Sequence, residues 1–207
     1  INTVSFYEQM TISGANILDA SCPTSSDGAI DITVIPDHPC YTYSWSNGAN
    51  TEDVTGLAVG NHTVTITDVD GTTLTQTFAV VNGDATPPVM STQNIDLYLD
   101  AIGNASIFPA DIDNGSSDNC AITSFSLDKM NFSCADVGIK TVNLTAFDAN
   151  GNQNSMSATV TVIDTVAPNA MCMPATVTLS GAAASITASM VDNGSNDACG
   201  IATTSVF

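Results

Sequence analysis

Apolar residues along this chain recur at every second position in short runs, and nowhere with a sustained helical spacing. Ile30, Ile32 and Val34 alternate with Asp31 and Thr33, and Val64 and Ile66 with Thr63, Thr65 and Thr67. The same holds for Val142 and Leu144 against Thr141, Asn143 and Thr145, and for Val160 and Val162 against Thr159 and Thr161. Period two turns one face of each run toward a core, so these segments predict β-strands. Asp27-Gly28, Asn47-Gly48, Asp70-Gly71 and Asn150-Gly151 stand between runs and suit hairpins that require positive φ. The pattern predicts an all-β chain of tandem immunoglobulin-like antiparallel β-sandwich domains in a linear string.

Repetition at longer range sets the domain plan. Asp113-Asn114-Gly115-Ser116-Ser117-Asp118-Asn119-Cys120-Ala121-Ile122 returns 79 residues later as Asp192-Asn193-Gly194-Ser195-Asn196-Asp197-Ala198-Cys199-Gly200-Ile201. Ahead of each copy, Asp84-Ala85-Thr86-Pro87-Pro88 corresponds to Asp164-Thr165-Val166-Ala167-Pro168. A period near 80 residues suits a small sandwich rather than a solenoid repeat. The expected plan has residues 1–15 ending a preceding domain or serving as a connecting strand, and residues 16–83 as one sandwich. Residues 84–164 form a second, and 165–207 a truncated second copy of that module.

Charge narrows the partners. Across 207 residues, 21 Asp and Glu face 2 Lys and Arg, a net charge of -19. Nucleic-acid phosphates and anionic membrane surfaces would be repelled. No run reaches the roughly 18 apolar residues of a spanning helix, so direct membrane insertion is not expected. With 43% hydrophobic residues the chain has enough apolar surface to fold.

Six cysteines, at 22, 40, 120, 134, 172 and 199, lack CxxC or His-cluster spacing and read as disulfides of an oxidising compartment. Cys120 and Cys134 enclose a loop for which a bridge contributes about 3 kcal/mol in the chain-entropy model, and they are the expected pair. Cys199, and Cys172 with it, is expected to pair beyond Phe207, with a direct Cys172–Cys199 bond as the lesser alternative.

The loop from Asp111 through Asp113 and Asn114 to Asp118 gathers carboxylate and amide oxygens suited to calcium. It departs from the EF-hand template, and the same residues also fit turn caps without any metal. Asp84, Asp164, Asp148 and Asn150 are further candidate ligands, as are Asp192 and Asp197, the counterparts of Asp113 and Asp118 in the second copy. Trp45 continues the Tyr41, Tyr43 alternation and is assigned to the core rather than to a sugar platform. His38 and His62 have no evident nucleophile partner, so catalysis is not expected.

Residues 19–80 resemble the SprB-type repeat of gliding-motility adhesins of Bacteroidota. The matching stretches are Asp19-Ala20-Ser21-Cys22, Asp27-Gly28-Ala29-Ile30-Asp31, Tyr41-Thr42-Tyr43-Ser44-Trp45-Ser46-Asn47-Gly48, Thr51-Glu52-Asp53 and the run from Gly56-Leu57 to Asp68. Residues 84–207 resemble the immunoglobulin-like tandem modules, similar to hyalin-type repeats, that accompany such repeats. The resemblance implies type IX export across the outer membrane and display on the cell surface. It also implies a stalk role in gliding or attachment, with further domains of the same chain, surface polysaccharide or gliding machinery as partners. Thr72 stands where such repeats often carry a cysteine, which leaves Cys40 as the expected partner of Cys22. Asp164-Thr165-Val166 matches the O-glycan pattern of exported Bacteroidota proteins, making Thr165 a candidate glycosylation site. The alternative is a carbohydrate-binding module of a secreted polymer-degrading enzyme, with Tyr98 or Tyr41 as the binding aromatic.

Overall fold

The computed structural model describes residues 9–37, 40–179, 181 and 183–205. His38 and the first eight residues of the expected leading segment lie outside them. The chain falls into two compact units. One holds the residues up to Pro88 with Asp118–Thr123 and Asp148–Asn152, and the other holds the remainder.

In the first unit, β1 (Thr11–Leu18), β2 (Gly28–Ile35) and β4 (Val54–Leu57) form one antiparallel sheet, in the order β1-β2-β4. β3 (Thr42–Trp45), β5 (Gly60–Thr67) and β6 (Thr73–Val80) form the other, in the order β3-β5-β6. β1 thus reaches back past the expected boundary at residue 16 and pairs with β2 from Thr11 onward.

The alternation read from the sequence is the alternation of burial. Ile30, Ile32 and Val34 of β2 and Val64 and Ile66 of β5 meet in one core with Val54, Leu57 and Val80. Full burial of each such side chain stabilises by about 1.5–3 kcal/mol. The outward threonines of β5 pair across the strand gap, Thr63 with Thr77 at 2.8 Å and Thr65 with Thr75 at 3.3 Å. Trp45 is 3% exposed, donates from Nε1 to the Thr51 carbonyl at 2.9 Å, and lies 6.3 Å from the Phe78 ring. It is a core residue.

One turn assignment is corrected. Gly48, Gly71 and Gly151 have the expected positive φ, but Gly28 does not. A Cβ on Gly28 would sit 2.7 Å from Val80 Cγ1 and 2.9 Å from the Leu57 carbonyl, so close packing at the start of β2 requires the glycine.

The second unit carries the four-stranded sheet β7-β12-β11-β9. Its strands are β7 (Ile95–Tyr98), β9 (Ile122–Leu127), β11 (Gly138–Asp148) and β12 (Gln153–Ile163), with β7 parallel to β12. β8 (Asn104–Ser106) pairs antiparallel with β10 (Asn131–Ser133). A helical turn α1 (Pro109–Ile112) leads into the acidic loop. Val142, Leu144, Val160 and Val162 from the larger sheet are buried, as are Ile107, Ile112 and Phe132.

Residues 165–205 contain a matching helical turn, α2 (Ala188–Val191), and isolated bridges. None of the described residues in this stretch is buried, and Leu179, Ile186 and Met190 are exposed.

Candidate metal centre

The acidic loop is built from interlocking turns. Asp111 is spent on α1: its Oδ2 accepts the Phe108 N–H at 2.7 Å, closing the N-terminus of that turn. Asp113 Oδ1 accepts the Ser116 N–H at 3.0 Å, and the Asn114 N–H donates to the Ser91 carbonyl at 2.9 Å. The Ser116 hydroxyl in turn accepts the Ser91 N–H. Asp111 and Asp113 each accept a backbone N–H of their own turns, and Asn114 ties the loop to Ser91 through its backbone.

Asp118 behaves differently. Its Oδ1 accepts the Cys120 N–H at 2.8 Å, while its Oδ2 is buried without a hydrogen-bond partner. Asp84 joins it from the linker. That side chain is 5% exposed, and its Oδ1 accepts from Thr86 N–H at 3.0 Å and from Asn119 Nδ2 at 3.1 Å. Asp84 Oδ2, too, is buried with no partner. One carboxylate oxygen of each, with Cys120 Sγ, lies within 4.8 Å of the others.

Asp148 and Asn150 hold this arrangement from behind. Asp148 Oδ1 accepts the N–H groups of Asn150 and Asn152, both at 2.8 Å, and Oδ2 accepts Asn152 Nδ2 at 2.8 Å. The side-chain amides of Asn150 and Asn152 both donate to the Asp84 carbonyl. Burial works against the Asp148 charge, but donation from the Asn152 side chain and the turn's N–H groups outweighs it and holds the carboxyl below the usual range. All three of these donors to Asp148 come from its own hairpin.

The donor set fits a hard cation. Calcium takes oxygen ligands at about 2.3–2.6 Å, so two carboxylate oxygens flanking one ion stand up to about 5 Å apart. Leaving a buried carboxylate oxygen unpartnered is costly, and an ion between Asp84 and Asp118 removes that cost. The sulfur bordering the site belongs to a cystine and is no ligand for such an ion. Asp84 and Asp118 would hold calcium, which would supply the charge that two adjacent carboxylates lack.

The second copy repeats the turns formed by Asp84, Asp113 and Asp118. Asp192 Oδ1 accepts the Ser195 N–H at 2.9 Å, and the Ser195 hydroxyl and amide hold its carboxyl below the usual range. Asp164 Oδ1 accepts the Val166 N–H at 3.0 Å, and Asp197 Oδ1 the Cys199 N–H at 2.8 Å. Asp197 Oδ2 is buried and unpartnered, and Asp164, Asp197 and Cys199 cluster as their counterparts do. Thr165, the candidate glycosylation residue, is exposed.

Both expected disulfides are corrected. Cys120 pairs with Cys22, not Cys134, and Cys134 pairs with Cys199. The Cys134 N–H donates to the Gly103 carbonyl at 3.1 Å, which seats Cys134 on a turn of its own rather than on the Asp118–Cys120 turn. Cys22 is aimed by its own turn. Ser25 Oγ accepts the Cys22 N–H at 2.9 Å, and Asp27 Oδ1 accepts from Ser25 Oγ at 2.7 Å and Ser21 N–H at 2.9 Å. The Ser21 and Ser25 hydroxyls lower the Asp27 pKa to about 2. Cys40, expected opposite Cys22, is free and exposed, as is Cys172. Cys199 finds its partner inside the chain, contrary to expectation.

Cys134 is positioned by a 3-10 turn over Cys134–Asp136, closed by Asp136 accepting from Ser133 N–H at 3.0 Å and from Lys129 Nζ at 2.7 Å. Asn119 and Asn152 are the site residues that sequence reading missed. Asn119 lies inside the repeated decapeptide and Asn152 just past the Asn150-Gly151 turn, where position alone gave them no role.

No protein-family model matches the chain, and no curated protein matches it. Solved structures that match include human mucin-like protocadherin EC1-2, 9% identical over 73% of this chain and 98% of that one, with a TM-score of 0.32. Protocadherin gammaB7 EC3-6 matches at 13% identity over 79% of this chain and 51% of that one, TM-score 0.31. Bacteroides ovatus SGBP-B, solved with a mixed-linkage heptasaccharide, matches at 12% identity over 76% and 48%, TM-score 0.26. The chain spans about half the length of the latter two. The class rests on the strand pairing itself: an all-β chain of immunoglobulin-like β-sandwiches, stapled by two disulfides.

Proposed function

We propose that this chain is a non-catalytic stalk segment of an exported surface adhesin, in which calcium held by Asp84 and Asp118 stiffens the linker turn. The carrying observation is the buried, unpartnered oxygen on each of those two carboxylates. Two cystines favour an oxidising, extracellular setting. The resemblance of residues 19–80 to gliding-adhesin repeats favours a bacterial cell surface reached by type IX export, and a role in gliding or attachment. Further sandwiches of the same chain and surface polysaccharide are the partners this role requires. Thermal melting with millimolar calcium and with chelator tests the reading. A higher melting temperature in calcium supports it, and superimposable curves contradict it.

A second reading, a carbohydrate-binding module, draws on Tyr98, which is 58% exposed at the end of β7. Glycan-array binding that is lost in Tyr98→Ala would favour it over the stalk.

A further inference from the structure

We propose that the Asp84–Asp118 ion site and the Cys22–Cys120 disulfide are one coupled device, so that calcium protects this bond from reduction and the bond sustains calcium affinity. The inference rests on the calcium reading above and adds a redox partner to it. Asp84 is 5% exposed, its Oδ2 is buried without a partner, and one of its carboxylate oxygens lies within 4.8 Å of Asp118 and Cys120, which marks the place as a ligand site rather than a chance gathering of acids.

The coupling runs through three consecutive residues. Asp118 supplies a carboxylate to the cluster, Asn119 Nδ2 donates to Asp84 Oδ1 at 3.1 Å, and Cys120 carries the sulfur bonded to Cys22. Cys120 N–H also donates to Asp118 Oδ1 at 2.8 Å, so the backbone that places the sulfur is the backbone that places the ligand. Residue 121 fixes the exit of this loop at φ 97. The other half of the bond is ordered independently by the Ser21–Ser25–Asp27 network. An ion and a disulfide that each order the same three residues must favour one another reciprocally.

The redox step is a two-electron exchange with an external dithiol. Its thiolate attacks a cystine sulfur, the S–S bond breaks, and a second exchange closes the reagent into its own cyclic disulfide. Cys22 and Cys120 leave as two thiols, having gained the electrons and protons the reagent lost. A loop pinned by calcium presents that sulfur less often.

Direction separates this effect from plain screening. At a net charge of -19 the protein repels an attacking thiolate, and any cation that merely screens this charge speeds reduction at every cystine. Site occupancy slows it at one.

The test is the rate at which dithiothreitol reduces each cystine in the unmodified chain, read by alkylation and peptide mass mapping, in calcium, in chelator and in potassium chloride of matched ionic strength. Calcium titration by calorimetry runs in parallel. Reduction passes through local opening of the loop, and calcium lowers the open population by the coupling factor, so slowing of Cys22–Cys120 reduction by about tenfold is the expected result. Asp84→Asn/Asp118→Asn is expected to abolish the slowing. Calorimetric binding with an unchanged Cys22–Cys120 rate would overturn the coupling and leave the ion reading standing. A flat titration would overturn both.

Discussion

The two copies of the acidic turn share a scaffold and differ in what surrounds it. Both place bridges at matching positions, Val89–Ser117 and Thr92–Asp113 in one, Asn169–Asn196 and Cys172–Asp192 in the other. Both follow a four-residue helical turn, and both leave a buried carboxylate oxygen unpartnered ahead of a disulfide-bonded cysteine. Yet only the first copy encloses its linker aspartate. Asp84 receives Asn119, where the second copy has Ala198, and its carbonyl receives Asn150 and Asn152. Among the described residues the second copy has no equivalent hairpin, and Asp164 is only half-buried. The turn is thus a local product of the decapeptide, whereas desolvation of the ion site is supplied by segments distant in sequence.

The disulfides offer the largest perturbation of this comparison. Cys22→Ala/Cys120→Ala should destabilise the first unit by about 2–5 kcal/mol, measured by denaturant unfolding, and should leave the Cys134–Cys199 bond oxidised. Loss of both bonds together would mean that the two turns are not independent.

Gly103→Ala tests the second cystine. Its φ is +78, and an added Cβ would overlap Cys134 Sγ and stand 3.5 Å from Cys199 Sγ. The expected cost is about 1–3 kcal/mol, with more free thiol at Cys134 and Cys199 than at Cys22 and Cys120.

Residue 121 sets the copies against each other more finely. Ala121 holds φ 97 where the second copy has Gly200 at φ 93. Ala121→Gly should stabilise the first copy and Gly200→Ala weaken the second, each by about 1 kcal/mol, read as opposite shifts in melting temperature. Shifts of the same sign would contradict the shared geometry.

Acid gives the smallest effect. The folded pKa of Asp27 is lowered to about 2 from 3.8, so its contribution is present above pH 3.8 and lost as pH falls toward 2. Asp148 and Asp192, both lowered, act in the same direction. Melting temperature should fall across this window, and less steeply in Asp27→Asn.

The strands were legible because period-two burial leaves its mark residue by residue, as at Ile30, Ile32 and Val34. The repeat was legible too, since ten consecutive residues recur. Ligand choice within it was not. Asp111, Asp113, Asp118 and Asp84 look alike in sequence, and which of them caps a turn and which leaves an oxygen free depends on hydrogen-bond geometry. The disulfides failed for a related reason. Proximity in sequence suggested Cys120 with Cys134 and Cys22 with Cys40, whereas the bonds close over 98 and 65 residues. Separations of that size are set by tertiary structure.

Calorimetric calcium titration of Asp84→Asn beside Asp113→Asn tests the central claim most directly, since both substitutions keep a side-chain oxygen and each removes one charge. Asp84→Asn is expected to lose the calcium site while Asp113→Asn, altered only in its turn, keeps it. Calcium binding that survives in Asp84→Asn and vanishes in Asp113→Asn would contradict the account and return the ion to the 111–118 loop.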